Sequence, residues 1–178
     1  MRPPDEWERD YTEFVTARGR ALRRIAYLLC GDWHQADDLT QTTLTKLYLA
    51  WRRISRSESV DGYARRTLVN AYLDEGRRPW RREHATAELP ERAAPGDLAA
   101  DRLTLRSALA TLPAAQRAAV VLRYWEDLSI AETAALLGIS EGTVKSASAR
   151  GLAALREVLQ GSRDGGPAPQ GGHRWTTN

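Results

Sequence analysis

Tyr63, Arg66 and Asn70 follow one another at spacings of three and four, so on a helix they occupy one face. An aromatic ring, a guanidinium and a carboxamide on one face suit single-stranded nucleic acid. The ring stacks on an unpaired base, the amide reads a base edge and the guanidinium holds phosphate. Taken alone, the same set equally describes a tyrosine covering the core beside a solvated basic face. The surrounding charge adds direction. Between Arg52 and Glu83 nine arginines stand against five acids, whereas from Glu88 to Asp101 four acids stand against Arg92 alone. That ordering is more informative than a net charge of +3 or a pI near 9.3. Lys46 and Lys145 are the only lysines, a bias that fits a GC-rich genome as well as phosphate binding.

A second set lies at Leu128 to Leu159. Ser129 and Glu132 have the spacing of a capping box at a helix start. Ala134, Leu136, Leu137 and Ile139 supply an apolar face, and Gly138 stands where the helix must stop and turn. Ser140 can cap a second helix, and Val144, six residues after Gly138, is placed to lock the two helices together. Ala134, four residues before Gly138, is small where they touch most closely. This pattern describes a DNA-binding helix-turn-helix. Its second helix would expose Thr143, Lys145, Ser146, Ala149 and Arg150. Lys145 and Arg150 can reach guanine edges or phosphates, and Ser146 either. The plain alternative is a helical hairpin with a glycine turn.

Other chemistries find little support. There is no Gly-rich phosphate loop and no nucleophile paired with a base, and His34, His84 and His173 are scattered. Cys30 and His34 would share a helix face with Asp38, but no second Cys or His pair completes a ligand set. Cys30 is the single cysteine, so no internal disulfide can form. No enzyme, cofactor or metal site is expected. No apolar run approaches the ~18 residues of a membrane span, and Met-Arg-Pro-Pro-Asp-Glu-Trp-Glu lacks the apolar stretch of a secretory signal. A cytoplasmic address with no membrane partner is expected.

The elements that must position these residues are helices. β-branched alternation is absent and Ala, Leu, Arg and Glu dominate, which predicts an all-α fold. A first helix runs roughly from Trp7 to Leu29 and ends at Gly31-Asp32. Asp32 can cap the next, with Gln35 completing a capping box, and that helix reaches about Ile54. It carries two apolar stripes, Leu39, Thr43, Leu47 and Ala50, and Leu44, Tyr48 and Trp51. One stripe can face a partner protein; the alternative is a central helix buried on most sides. Ser55 to Ser59 is a polar connection. Asp61 caps a third helix that ends near Arg78, because Pro79 disfavours helix before it. With 178 residues, two small domains are expected. Residues 1–80 form the first, 81–98 a flexible linker containing Pro90, Pro95 and Gly96, and 99–160 the second, with Pro113 in the first turn of a helix. Residues 161–178 read as a disordered tail.

The order of three segments resembles one family. GDWHQADDLTQ (Gly31 to Gln41) resembles the core-binding segment of bacterial sigma factors. DGYARRTLVN (Asp61 to Asn70) resembles their −10 element segment. LPAAQR (Leu112 to Arg117) followed by SEGTVKS (Ser140 to Ser146) resembles their −35-reading C-terminal domain. Two domains joined by a linker look like the extracytoplasmic-function, or group IV, branch of the sigma-70 family. The wording around Asp61 is similar to the actinobacterial SigE-like subgroup. Tyr63 stands where the family often has tryptophan, and Ala147 where it often has a second basic residue.

The resemblance implies partners and roles. The partners would be RNA polymerase core, through its clamp and flap regions, duplex and single-stranded promoter DNA, and an anti-sigma factor. Asp37, Asp38, Leu39, Gln41, Leu44 and Leu47 would dock on the clamp. Tyr63, Arg65, Arg66, Asn70, Arg77 and Arg78 would engage the −10 element, with a flipped base held by the loop Ser55 to Val60. Thr143, Lys145, Ser146, Ala149 and Arg150 would enter the −35 major groove. A stand-alone helix-turn-helix regulator is the nearest rival. It leaves the double stripe and the Tyr63–Asn70 face without a role, and a purely protein-binding helical adaptor has no use for the ordered arginines.

Overall fold

A computed structural model describes residues 6–54, 59–76 and 105–164, the side chains of 161–164 excepted. Every regular element among them is helical. The first three are α1 (Glu6–Cys30), α2 (Trp33–Ile54) and α3 (Val60–Gly76). Next come α4, residues 105–110, and α5 (Ala114–Val120), which runs on as a π-helical turn over Val121–Trp125. The last two are α6 (Ile130–Leu137) and α7 (Glu141–Asp164). The expected linker 81–98 falls outside the described residues; of the expected tail 161–178, residues 161–164 instead continue α7, and the rest falls outside them.

Gly31 ends α1 in the left-handed region at φ 77°, a conformation that glycine adopts without Cβ strain. Asp32 Oδ1 then accepts from the Gln35 amide at 2.8 Å and starts α2. The expected capping box is only half made, because the Gln35 side chain turns to Glu75 on α3 at 2.9 Å. The tight turn lays α1 and α2 antiparallel. Trp7 and Tyr11 meet Tyr48, and Tyr11 and Phe14 meet Trp51, with ring centroids 5.1–5.6 Å apart; near the turn Tyr27 stacks on Trp33 at 3.8 Å. Such ring pairs add to plain area burial. At α3 the structure departs from expectation. Ser59 supplies the cap, its Oγ accepting from the Gly62 amide at 3.3 Å. Asp61 lies one residue inside the helix and pairs with Arg18 at 2.7 Å.

In the second half, Pro113 occupies the N-cap of α5 rather than its first turn. The Ser129–Glu132 capping box is complete, Gly138 takes φ 66°, and the Ser140 hydroxyl accepts from the Thr143 amide at 3.1 Å. Val144 and Ala134 are buried between α6 and α7.

The two halves share one continuous apolar core, in which Leu22, Leu29 and Leu68 join Leu109, Leu122 and Leu155. Polar contacts reinforce the junction. Arg117 donates to the Leu29 carbonyl at 2.7 Å and to Ala110 and Leu112 carbonyls at 2.9 and 3.1 Å. Arg65 Nε lies 2.7 Å from Glu126 Oε2. Beside this junction Leu73, Gly76, Ala114, Ala115, Leu137 and Ile139 line a mostly apolar groove of about 270 Å³.

Candidate nucleic-acid interface

Three surfaces emerge. On α2 the helical period separates a buried side from an exposed one. Leu39, Leu44 and Leu47 are buried in the protein's own core, which corrects their expected place on a polymerase-facing surface. They face α1 and α3 because burying three leucines internally removes more apolar area from water than a half-wet contact would. Asp37 is also committed, its carboxylate gripped by both ends of the Arg23 fork. That charge-assisted contact holds the Asp37 carboxyl below its usual range and raises Arg23. Arg23 in turn lies 4.5 Å over Trp33. Asp38 and Gln41 are exposed as expected. Leu49, eleven residues after Asp38 and hence on the same face, is 80% exposed. Leu49 is the residue that sequence reasoning missed. Its signal was present, since it belongs to neither apolar stripe of α2.

On α3, Arg66 and Asn70 are exposed and Tyr63 is half-buried against the core. The face is as expected: the ring is braced from behind while the cation and amide meet solvent. Arg65 departs from it, because its Nε is taken by Glu126 in a largely dry setting. Arg77, Arg78 and residues 55–58 lie outside the described residues. Cys30, at the end of α1, is half-buried. Its Sγ donates to the Asp32 carbonyl at 3.1 Å, and burial pushes its thiol up to about 11, so at neutral pH it carries no thiolate.

On α7, Thr143, Lys145, Ser146, Ala149 and Arg150 are all exposed. Local bonds hold several of them. Thr143 and Ser140 hydroxyls sit 2.8 Å apart, Ser146 Oγ donates to the Thr143 carbonyl at 3.0 Å, and Arg150 folds back onto the Ser146 carbonyl at 3.3 Å. These bonds are weak enough to exchange for base edges. Ala147 is buried against the neighbouring helices, so a basic residue there would not reach DNA from this helix face. α6, which carries α7 by its turn, is anchored by Glu132, whose carboxyl is lowered by the Ser129 hydroxyl and amide. The sequence also hid a close approach. A Cβ on Gly151 of α7 would stand 2.6 Å from Val120 Cγ2 on α5. Glycine there fits helix to helix, not a turn.

An all-α body with a helix-turn-helix on one half and an arginine–amide face on the other is a DNA-binding architecture. The chain belongs to the sigma-70 family of RNA polymerase sigma factors: the family's region 2 matches residues 14–82 and its region 4 matches residues 102–155. It is 43% identical over 154 residues to the RNA polymerase sigma-E factor of Streptomyces coelicolor, covering 84% of this chain and 86% of that one. It is 36% identical over 143 residues to the ECF RNA polymerase sigma factor SigM of Mycobacterium tuberculosis, covering 79% and 72%. Among solved structures, the sigma factor RpoE of Bartonella quintana, in complex with the anti-sigma factor NepR, superposes with TM-score 0.68 at 26% identity over 85% of this chain and 97% of that one. CnrH, in complex with the cytosolic domain of CnrY, shares the fold at TM-score 0.64 and 22% identity over 86% and 90%. The chain is thus an alternative sigma factor of the extracytoplasmic-function group, acting in transcription initiation.

Proposed function

We propose a division of labour among the three faces. The exposed stripe of α2, with Asp38, Gln41 and Leu49, docks on RNA polymerase core. The α3 face, with Tyr63, Arg66 and Asn70, takes the unwound −10 strand. Thr143, Lys145, Ser146, Ala149 and Arg150 of α7 read the −35 duplex. Residues 1–80 and 99–160 serve as the two working domains, and 81–98 as the connection between them. Leu49 carries the docking part of this reading: a leucine 80% exposed amid polar neighbours is an anchor looking for a partner. Asp37 and Arg65 support the fold in this arrangement, and Leu39, Leu44 and Leu47 shape the docking face from beneath.

The protein works as a binding factor in the cytoplasm and leaves the chemistry to polymerase. No helix among the described residues is long and apolar enough to cross a membrane. The groove beside Leu73, Leu137 and Ile139 suits an apolar segment of an anti-sigma factor. The RpoE relative supports this by carrying such a partner.

Run-off transcription with purified bacterial core, with and without this protein, on a genomic promoter library tests the reading. Discrete protein-dependent transcripts are expected, and they would deliver both promoter elements. Absence of transcripts together with absence of core binding on a sizing column would favour a stand-alone helix-turn-helix regulator.

A further inference from the structure

The groove beside the junction draws its walls from both halves of the chain. Leu73 and Gly76 of α3 supply one, and Ala114 and Ala115 of α5 with Leu137 and Ile139 supply the other. Among the described residues no charged group lines it. Ile139, in the turn of the helix-turn-helix, is 38% exposed, and a Cβ placed on Gly76 would meet no atom within 4 Å. The groove thus offers apolar surface and room. At about 270 Å³ it accommodates one large side chain rather than a folded segment.

Gly76 supplies the second observation. It is the last residue of α3 and also a wall of the groove, so the chain leaves that helix at the groove's edge. The next residues are RRPWRR, Arg77 to Arg82, which lie outside the described residues. Trp80 is the first large apolar residue after Gly76, and a span of four residues reaches at most about 14 Å. So short a tether keeps the indole at a high effective concentration beside the groove. Arg77, Arg78, Arg81 and Arg82 flank it, and an uncharged groove gives their guanidinium groups no partner. The ring is therefore the one part of this stretch that gains by leaving water.

We propose that the groove is the docking site of this chain's own Trp80, with the indole against Leu73, Ala115 and Ile139. There it covers the exposed face of Ile139 and joins the end of α3 to the turn of the helix-turn-helix. The assignment goes beyond the anti-sigma reading of the same groove and holds without such a partner, whose apolar segment would have to displace the indole.

The full chain labelled with fluorotryptophan, alone in solution, provides the test. Trp80→Phe and Trp175→Phe each remove one of the six tryptophan resonances and so assign both lines. The Trp80 fluorine should shift less between light and heavy water than the same residue in a free RRPWRR peptide. Ala115→Lys, at an exposed position, puts a charge into the groove that also repels the flanking arginines, and it should restore the full shift of the peptide. Ile139→Lys should do the same, with circular dichroism confirming that both variants fold. A full solvent shift for Trp80 in the parent chain overturns the proposal. So does a protected Trp80 that neither variant exposes, because the ring then packs elsewhere. Protection of Trp175 in its place, lost in Ala115→Lys, would give the groove to the C-terminal segment. Protection of Trp80 that fades on dilution would give it to a second copy of the chain. Either result overturns the assignment to the chain's own Trp80.

Discussion

Arg65 of α3 and Glu126 beside the helix-turn-helix meet at 2.7 Å, with side chains only 20% and 12% exposed. Sixty-one residues separate them, so this pair ties the two halves of the chain directly. Glu126→Gln should weaken the junction by about 1.5–3 kcal/mol, the worth of a charge-assisted hydrogen bond. Small-angle scattering of the free protein should then show a larger radius of gyration. An unchanged radius would mean that the apolar contacts and Arg117 hold the halves together without the ion pair.

The exposed face of α2 makes a separable prediction. Asp38→Arg and Leu49→Asp should each abolish binding to core polymerase while leaving the circular dichroism spectrum and melting temperature near those of the parent. Leu39→Asp should instead unfold the first half, because it puts a charge into a filled core. If core affinity survives both surface changes, docking lies elsewhere.

For the reading helix, Arg150→Ala should cost about 1–3 kcal/mol and relax the −35 preference at one base pair. Binding measured across single-base variants of the site shows this directly. A uniform loss over all variants would instead make Arg150 a phosphate contact.

Asn70→Ala addresses melting. Its side chain is exposed on the same face as Arg66, and in the proposed role it would engage an unpaired base rather than the duplex. Permanganate reactivity of the −10 thymines should fall more than the amount of closed complex retained on a gel. Equal losses would place Asn70 in duplex binding.

Gly151→Ala tests the close approach of α7 and α5. The added methyl meets the stiff Val120 side chain at 2.6 Å, so strain should exceed the helix-propensity gain of alanine. A net destabilisation of about 1–3 kcal/mol is expected in denaturant unfolding. A stabilised variant would show that α7 can shift outward freely.

Much of the site was legible because it rests on local rules. The Ser129–Glu132 box, the left-handed Gly138 and the buried Val144 follow from caps, turns and helical period, and they place all five α7 residues on the surface. The shared face of Tyr63, Arg66 and Asn70 follows from period alone. Reading α2 was harder. Both apolar stripes look alike in sequence, and burial depends on where α1 and α3 lie. Leu39, Leu44 and Leu47 therefore turned inward while the overlooked Leu49 stayed out. Asp61 and Ser59 are both good caps. The long-range partner Arg18 drew Asp61 into an ion pair and left Ser59 the capping role.

The sequence by itself determined the helices, the helix-turn-helix with its caps, and the family, since each depends on residues within a turn or two of one another. Only the tertiary structure decided which cations are free. Arg65, Arg117 and Arg23 are committed to Glu126, to backbone carbonyls and to Asp37, whereas Lys145 and Arg156 line one depression that no carboxylate shares. The physical reason is that charge pairing acts through space: its partners lie tens of residues away, and no local pattern encodes their distance.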